Sequence, residues 1–271
     1  MDRAERAAKS IIENLICGAK MHYQINQSTG EHDFNFEYAT GTCVPLEVTM
    51  STDEIAEAKA AELIFSKRGS CVLRTLCQRD WWVHPLRHAK ISKIRKHIDF
   101  YLAAVEAEGW EQFNAFIDAA DSPAIRAILQ DLAIEGGQVM KWKSPSISIS
   151  TPSGGGRVYS TLINEAVETE AFKDDNRRKL RSAEGSEKHL FVYVTVMRHV
   201  VWVAVREGIM PTSGPKLPPE ITHVWVATWT GDGAWHTVWR AQKNSAWTHL
   251  GHVDIERGVI VSNEFSKLSA S

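Results

Sequence analysis

The chain has 271 residues, of which 44% are hydrophobic and 24% charged, and a formal net charge of −2. That balance suits a globular protein with a sizeable core. It excludes a polycation, so any affinity for nucleic acid must come from a local patch. No apolar run approaches the roughly 18 residues of a membrane helix, and the charged start MDRAERAAKS does not read as a signal peptide. The four cysteines, Cys17, Cys43, Cys71 and Cys77, form no CxxC pair, as expected of reduced thiols in a cytoplasmic protein.

Residues 3 to 17 read as a helix: Ala4, Ala8, Ile11, Ile12, Leu15 and Ile16 recur at helical spacing, and Gly18 supplies the stop. MHYQINQ alternates as a strand. Residues 33 to 39 and 43 to 50 read as a hairpin turning at Thr40 and Gly41. The next helix, STDEIAEAKAAELIFSKRG, has Ser51 or Thr52 as its cap and acids in its first turn. SCVLRTLCQRDWWVHP is extended, and a basic helix follows with Ile91, Ile94, Ile98 and Leu102 on one side. Helices are expected at about 110 to 119 and 123 to 135, then a short hairpin from GQVMKWK and SISIST. Residues 153 to 156, SGGG, read as a linker, because the GK[ST] of a phosphate-binding loop is missing. A long helix is expected from about 158 to 183, followed by a buried strand HLFVYVTV and an apolar helix or turn at 198 to 207. Two strands, THVWVATW and HTVWRA, close the fold, and SKLSAS reads as a loose tail. The order is that of a mixed α/β domain. Ten tryptophans, eight of them after residue 100, are mostly bulky core anchors, with base stacking the second reading.

The hairpin raises the functional question. Asp33 opens its first strand, and Glu47 sits in the middle of the otherwise apolar second strand. Either that face meets solvent, or the two carboxylates meet across the hairpin, within about 5 Å, and hold a hard cation such as Mg²⁺ or Mn²⁺. A second patch lies at 87 to 97, where Lys90, Lys93, Arg95 and Lys96 follow Trp82. Cations beside an aromatic suit a phosphate backbone and unstacked bases; a merely solvated helix face is the alternative. His199, His223, His236 and His249 show no HxH or HxxxH spacing, so a zinc site is not expected.

DFNFEYATGTCVPLEVT resembles the catalytic hairpin of the PD-(D/E)xK nuclease-like superfamily, whose signature is an Asp, a hairpin and Glu-x-Lys. NRRKLRSAEGSEKHLFVYV, LPPEITHVWVA and VWRA resemble the C-terminal half of a bacterial group that carries an E-V-T form of this hairpin. The resemblance implies a restriction-endonuclease-like core: a helix, a three-stranded meander, a helix and a strand, over about 1–104 and 158–250. A helical insertion would occupy about 105–157 of one 1–271 domain, with extra strands at the C-terminus. It also implies Mg²⁺-dependent hydrolysis of phosphodiester bonds, in DNA rather than RNA, with a homodimer possible. Asp33 and Glu47 would hold the metal, completed by Glu5 or, in competition, Glu13. The departure is Thr49, which stands where the superfamily has its lysine. Lys179 is the candidate to supply the missing cation, with Asn176 one turn before it and Lys173 in reserve. A binding module that kept the fold without the lysine is the alternative.

Overall fold

The computed structural model describes residues 1–24, 31–65, 71–114, 118, 121–141, 146–150, 158–231 and 233–261. Its elements, in chain order, are α1 (Arg3–Leu15), β1 (Lys20–Tyr23), β2 (Phe34–Glu37), β3 (Cys43–Ser51), α2 (Glu54–Phe65), β4 (Cys71–Leu73), β5 (Trp81–Pro85), α3 (Ile91–Ala107), β6 (Gln112–Asn114) and α4 (Pro123–Leu132). They continue with β7 (Ile134–Val139), β8 (Ser146–Ile149), α5 (Thr161–Ala171), α6 (Asp174–Ser182), β9 (His189–Val194), α7 (His199–Arg206), β10 (His223–Trp229), β11 (Trp235–Gln242), β12 (Thr248–Asp254) and β13 (Val259–Val261). The class is mixed α/β, with two mixed sheets. No helix among the described residues is long and apolar enough to cross a membrane.

The chain divides into two compact units. One comprises Met1–Thr52 with Arg157–Ser271, and the other Asp53–Gly156. The inserted unit thus begins at Asp53, well before the boundary near 105 expected from the sequence. Consequently α2, β4 and β5 belong to the insertion and do not continue the first meander.

In the first unit an eight-stranded sheet runs β1-β2-β3-β9-β10-β11-β12-β13. The meander β1-β2-β3 is antiparallel, while β9 lies parallel to both β3 and β10. Side chains alternate between the two faces of a strand, and β9 buries both sets, as expected of a strand between two helical layers. Phe191 and Tyr193 join Leu46, Phe34, Phe36 and Trp225 under the Ile11, Ile12 and Leu15 side of α1. Leu190, Val192 and Val194 pack on the other face against Ile163 and Val167 of α5, Leu180 of α6 and Val205 of α7. A capping box starts α1: Asp2 accepts from Glu5 N at 2.8 Å, and Glu5 Oε2 accepts from Asp2 N at 2.6 Å, satisfying two otherwise orphaned donors.

The expected helix at 158 to 183 is two helices. The α5 helix ends at Ala171, and Lys173, in extended conformation, precedes α6. Asp174 and Asp175 form the first turn of α6 and Lys179 and Arg181 its last, so its charges follow the helix dipole at both ends. Beyond the two closing strands anticipated from the sequence, β12 and β13 extend the sheet by antiparallel pairing.

The second unit is a five-stranded sheet ordered β4-β8-β5-β7-β6. Trp81, Val83, Ile147 and Phe113 on one face pack against Ile91, Ile94, Ile98 and Leu102 of α3 and Ile125, Ile128 and Leu132 of α4. Two sequence expectations change here. β7 and β8 do not pair as a hairpin, because β8 lies between β4 and β5, parallel to β5. Within the segment expected to be helical near 110 to 119, residues 112 to 114 form β6. The glycine linker and the final SKLSAS lie outside the described residues.

The tryptophans serve mainly as anchors. Trp81 and Trp225 are fully buried, and their indole N–H groups donate to Glu106 and His189 respectively. The half-buried Trp202, Trp239 and Trp247 donate to Trp229 O, Val205 O and Asn164 Oδ1, which satisfies their polar ends. The four cysteines are free thiols, and only Cys77 is buried.

Truncating Phe191 to alanine opens a cavity between β3 and β10 and should cost about 3–5 kcal/mol. The exposed Phe100, truncated in the same way, should change stability by less than about 0.5 kcal/mol. Urea unfolding of the two variants beside the parent chain measures both.

Candidate functional site

The register of the hairpin builds the site. Phe34 pairs with Leu46, so one step further along the ladder Asp33 stands opposite Glu47, on the face turned away from α1. Both are buried, with 6% and 1% of their surface exposed, so the solvent-facing alternative is excluded. Asp33 Oδ2 accepts from Val48 N at 2.8 Å. Glu47 Oε1 accepts from Lys179 Nζ at 2.7 Å, and Asp175 Oδ2 lies 3.4 Å from the same ammonium. Among the described residues, no donor reaches the buried Glu47 Oε2.

Two buried acids beside one ammonium cannot both ionise cheaply. Burial, and then the Asp33 charge, pushes Glu47 up to about 8, against the pull of Lys179. Burial also raises Asp33, although the Val48 amide and Lys179 favour its charged form. Burial alone would lower Lys179, but Glu47, Asp33 and Asp175 outweigh it and hold the ammonium protonated. At neutral pH the pair therefore retains a proton. That proton, the orphaned Oε2 and an all-oxygen donor set fit a hard divalent cation, which takes one or two carboxylates and fills its remaining positions with water or phosphate oxygens.

The same face of β3 continues through Thr49 and Ser51. Thr49 Oγ1 donates to Glu170 Oε2 at 3.1 Å, and Lys173 Nζ sits 2.5 Å from that oxygen. Arg198 Nη1 lies 4.0 Å from Glu170 Oε1 and also donates to Ser51 Oγ. Both candidate lysines thus reach this face: Lys179 on Glu47, and Lys173 beside the position where the hairpin motif has its own lysine. Asn176 is buried in support, its Nδ2 donating to Glu170 O at 2.9 Å. Glu170, 3% exposed, was not singled out in the sequence. The signal at Glu47 is an acid in an apolar strand; its helical counterpart here is an acid on the buried stripe of Ile163, Ala166, Val167 and Ala171 in α5.

Glu5 is not brought into the site. Its carboxylate is committed to the start of α1, and Glu5, Asp33 and Glu47 do not all come within 4.8 Å of one another. Its charge reaches Asp33 only as a minor influence raising that group. Glu13 is engaged elsewhere, by Lys9 Nζ at 2.5 Å and Met21 N at 3.0 Å.

The basic patch also separates. Lys90, which caps the start of α3, and Lys96 are exposed and Arg95 is half-buried, while Lys93 faces Asp131 at 3.7 Å. Trp82 alternates with Trp81 and Val83, which face α3, so its ring stands on the opposite face of the sheet. The strip of cations beside an aromatic is therefore not formed. Nor is α3 uniformly basic: Asp99 accepts from Thr75, Leu76 and Cys77 amides and Glu106 from Gln78 and Arg79 amides.

A second polar cluster lies on the α1 face, where His189 and His223 are register partners. Glu187, His189 and His223 place ligand-type atoms within 4.8 Å of one another, a group that could hold a metal ion. Local spacing could not reveal it, since the histidines are neighbours only through parallel strand pairing. The hydrogen bonds fill it with protons instead. Trp225 Nε1 donates to His189 Nδ1 at 2.9 Å, which puts the imidazole proton on Nε2, 2.6 Å from Glu187 Oε1. A ring in that tautomer has no lone pair on Nε2 for a metal. Tyr38 also donates to Glu187, and Arg240 Nη2 stands 3.7 Å from it. Burial lowers His189 to about 3 and His223 to about 4.

Compared with protein-family models, curated proteins and solved structures, the chain matches none of them.

Two pH responses follow from these groups. His189 and His223 stay neutral in the fold but take up protons in the unfolded chain below about 6.5. The unfolded state then binds more protons, so stability falls as pH drops from about 6.5 towards 3. His189→Gln should flatten that slope in urea unfolding across the same range. Glu47 behaves oppositely: between the unfolded value near 4.3 and about 8 the folded state holds the extra proton, so metal-free protein loses stability as pH rises through that window. Glu47→Gln should raise the melting temperature more at pH 9 than at pH 5, as read by scanning calorimetry in chelator.

Proposed function

We propose that the protein is a metal-dependent nuclease that hydrolyses phosphodiester bonds of DNA. The observation that carries this reading is the buried carboxylate pair Asp33–Glu47, on one face of the hairpin, with the Lys179 ammonium 2.7 Å from Glu47 Oε1 and, among the described residues, no donor on Oε2. The order α1, β1-β2-β3, then α5 and α6, with β9 parallel to β3, supports a restriction-endonuclease-like core interrupted by the inserted unit.

Asp33 and Glu47 would hold Mg²⁺ or Mn²⁺, which when bound supplies a Lewis acid and an acidified water. The residues do the remaining work. The Val48 amide fixes Asp33, and Asp175 steers Lys179 against Glu47. The ammonium of Lys179 keeps a positive charge beside the carboxylates, where negative charge accumulates on the phosphate during attack. Lys173, held by Glu170 next to Thr49, adds a second cation along the strand. The burial that raises Glu47 makes metal binding compete with its proton, so ion affinity should climb between about pH 5 and 8.

Thr49 favours one other reading, a nucleic-acid- or protein-binding module that kept this fold without catalysis, because its hydroxyl is spent on Glu170. One experiment separates the two. The chain is incubated with Mg²⁺ or Mn²⁺ and a panel of single- and double-stranded DNA and RNA. The nuclease cuts DNA, and Asp33→Ala or Glu47→Ala lowers the rate at least about a hundredfold while the protein still unfolds cooperatively. Lys179→Ala should lower kcat more than it raises KM. Parent protein that cleaves nothing beyond the Glu47→Ala background, yet retains DNA in a shift assay, belongs to the binding reading.

A further inference from the structure

The outer face of the five-stranded sheet carries a feature that the carboxylate site does not use. Along β5, Trp82 and His84 point away from α3, with ring centroids 4.7 Å apart. His84 Nδ1 meets Ser150 Oγ at 3.1 Å, which fixes the imidazole. Beside it opens a pocket of about 540 Å³ lined by His84, Gln112, Asn114, Asp118, Glu135 and Gln138, together with Phe113, Gly136 and Gly137. At Gly136, the register partner of His84, the lining has no side chain for a packing reason: a Cβ there would lie 2.8 Å from Phe113 O.

The lining defines its ligand. The volume falls in the range of small-molecule sites. Among the described residues no lysine or arginine lines it, so a phosphate meets no cation there. Two carboxylates, an imidazole and three side-chain amides offer a dense set of acceptors with some donors, and Glu135 is raised by its burial. A planar ligand with amine hydrogens on its edge matches this set, since carboxylates accept from exocyclic base amines and aromatic faces stack on bases.

We propose that this pocket binds a nucleobase bearing an exocyclic amine, with Asp118 and Glu135 accepting from its edge and the Trp82–His84 pair at its rim. In a nucleic acid, such a base would have to be turned out of its stack to enter, as enzymes that read single bases do.

The test uses the full chain and isothermal titration with cytidine, adenosine, guanosine and uridine, without metal. The three amine-bearing nucleosides should bind and uridine about tenfold more weakly. Asp118→Asn combined with Glu135→Gln keeps shape and removes both charges, and should erase that preference; Trp82→Ala should weaken all four. A thymidine oligomer with one central deoxycytidine distinguishes the source of the base. Tighter binding than cytidine assigns a base within a strand, equal binding assigns a free nucleoside, and either places a base in the pocket. The proposal is overturned if no nucleoside binds at millimolar concentration, or if uridine binds as well as cytidine in the parent chain. No phosphodiester is cut in these titrations, so their failure and the failure of hydrolysis are separate results.

Discussion

The arrangement of the first unit turns on one buried contact, the ammonium of Lys179 against Glu47 beside Asp33. Removing a carboxylate from water costs several kcal/mol unless it is paired or protonated, and here a second carboxylate faces the first. The fold meets that cost in three ways: an amide on Asp33, an ammonium on Glu47, and a retained proton between them. For this to work, α6 must lie across β3, so the contact constrains where the polypeptide goes after α5. The break at Phe172–Lys173 belongs to the same constraint, because it turns the chain and presents Lys173 and Lys179 to one strand face.

The two polar clusters of the sheet divide by face. Glu47, Thr49 and Ser51 project towards α5 and α6, where lysine, arginine and carboxylate groups alternate along the strand. On the α1 face, Glu187, His189, His223 and Trp225 form a closed hydrogen-bonded set with Tyr38 and Arg240 nearby. Among the described residues, the first set leaves one buried oxygen without a donor; the second places the ring protons of His189 and Trp225. That difference separates a site built to receive something from a network that fixes the packing of β9 against β10.

What could be read in the sequence was local. The α1 helix, the β2–β3 hairpin and the meeting of Asp33 with Glu47 follow from alternation and turn residues within about twenty positions. Lys179, 132 residues further along the chain, was reached only through the resemblance, which asks for a cation where Thr49 stands. What could not be read was pairing between distant strands. The register that joins His189 to His223, the insertion of β8 between β4 and β5, and the return of β9 to β3 have no local signature. The basic helix misled for a related reason: its lysines and Trp82 are close in sequence, but strand alternation sends them to opposite faces. The helix expected at 158 to 183 failed at Phe172, where helical periodicity persists on both sides of the break.

The inserted unit also has a temporal consequence. Glu47 and Lys179 are separated by 132 residues, and all of the second unit is synthesised between them. During translation the meander β1-β2-β3 therefore emerges with its carboxylate pair uncovered and its β3 edge unpaired. Non-local strand pairing is slow to form, and domains fold largely as units while the chain lengthens. The inserted unit can thus consolidate before β9 arrives to close the sheet. Until then the nascent chain presents an open β3 edge with Glu47 at its middle, whose charge opposes edge-to-edge association, so a residue that serves the finished site also guards the unfinished sheet.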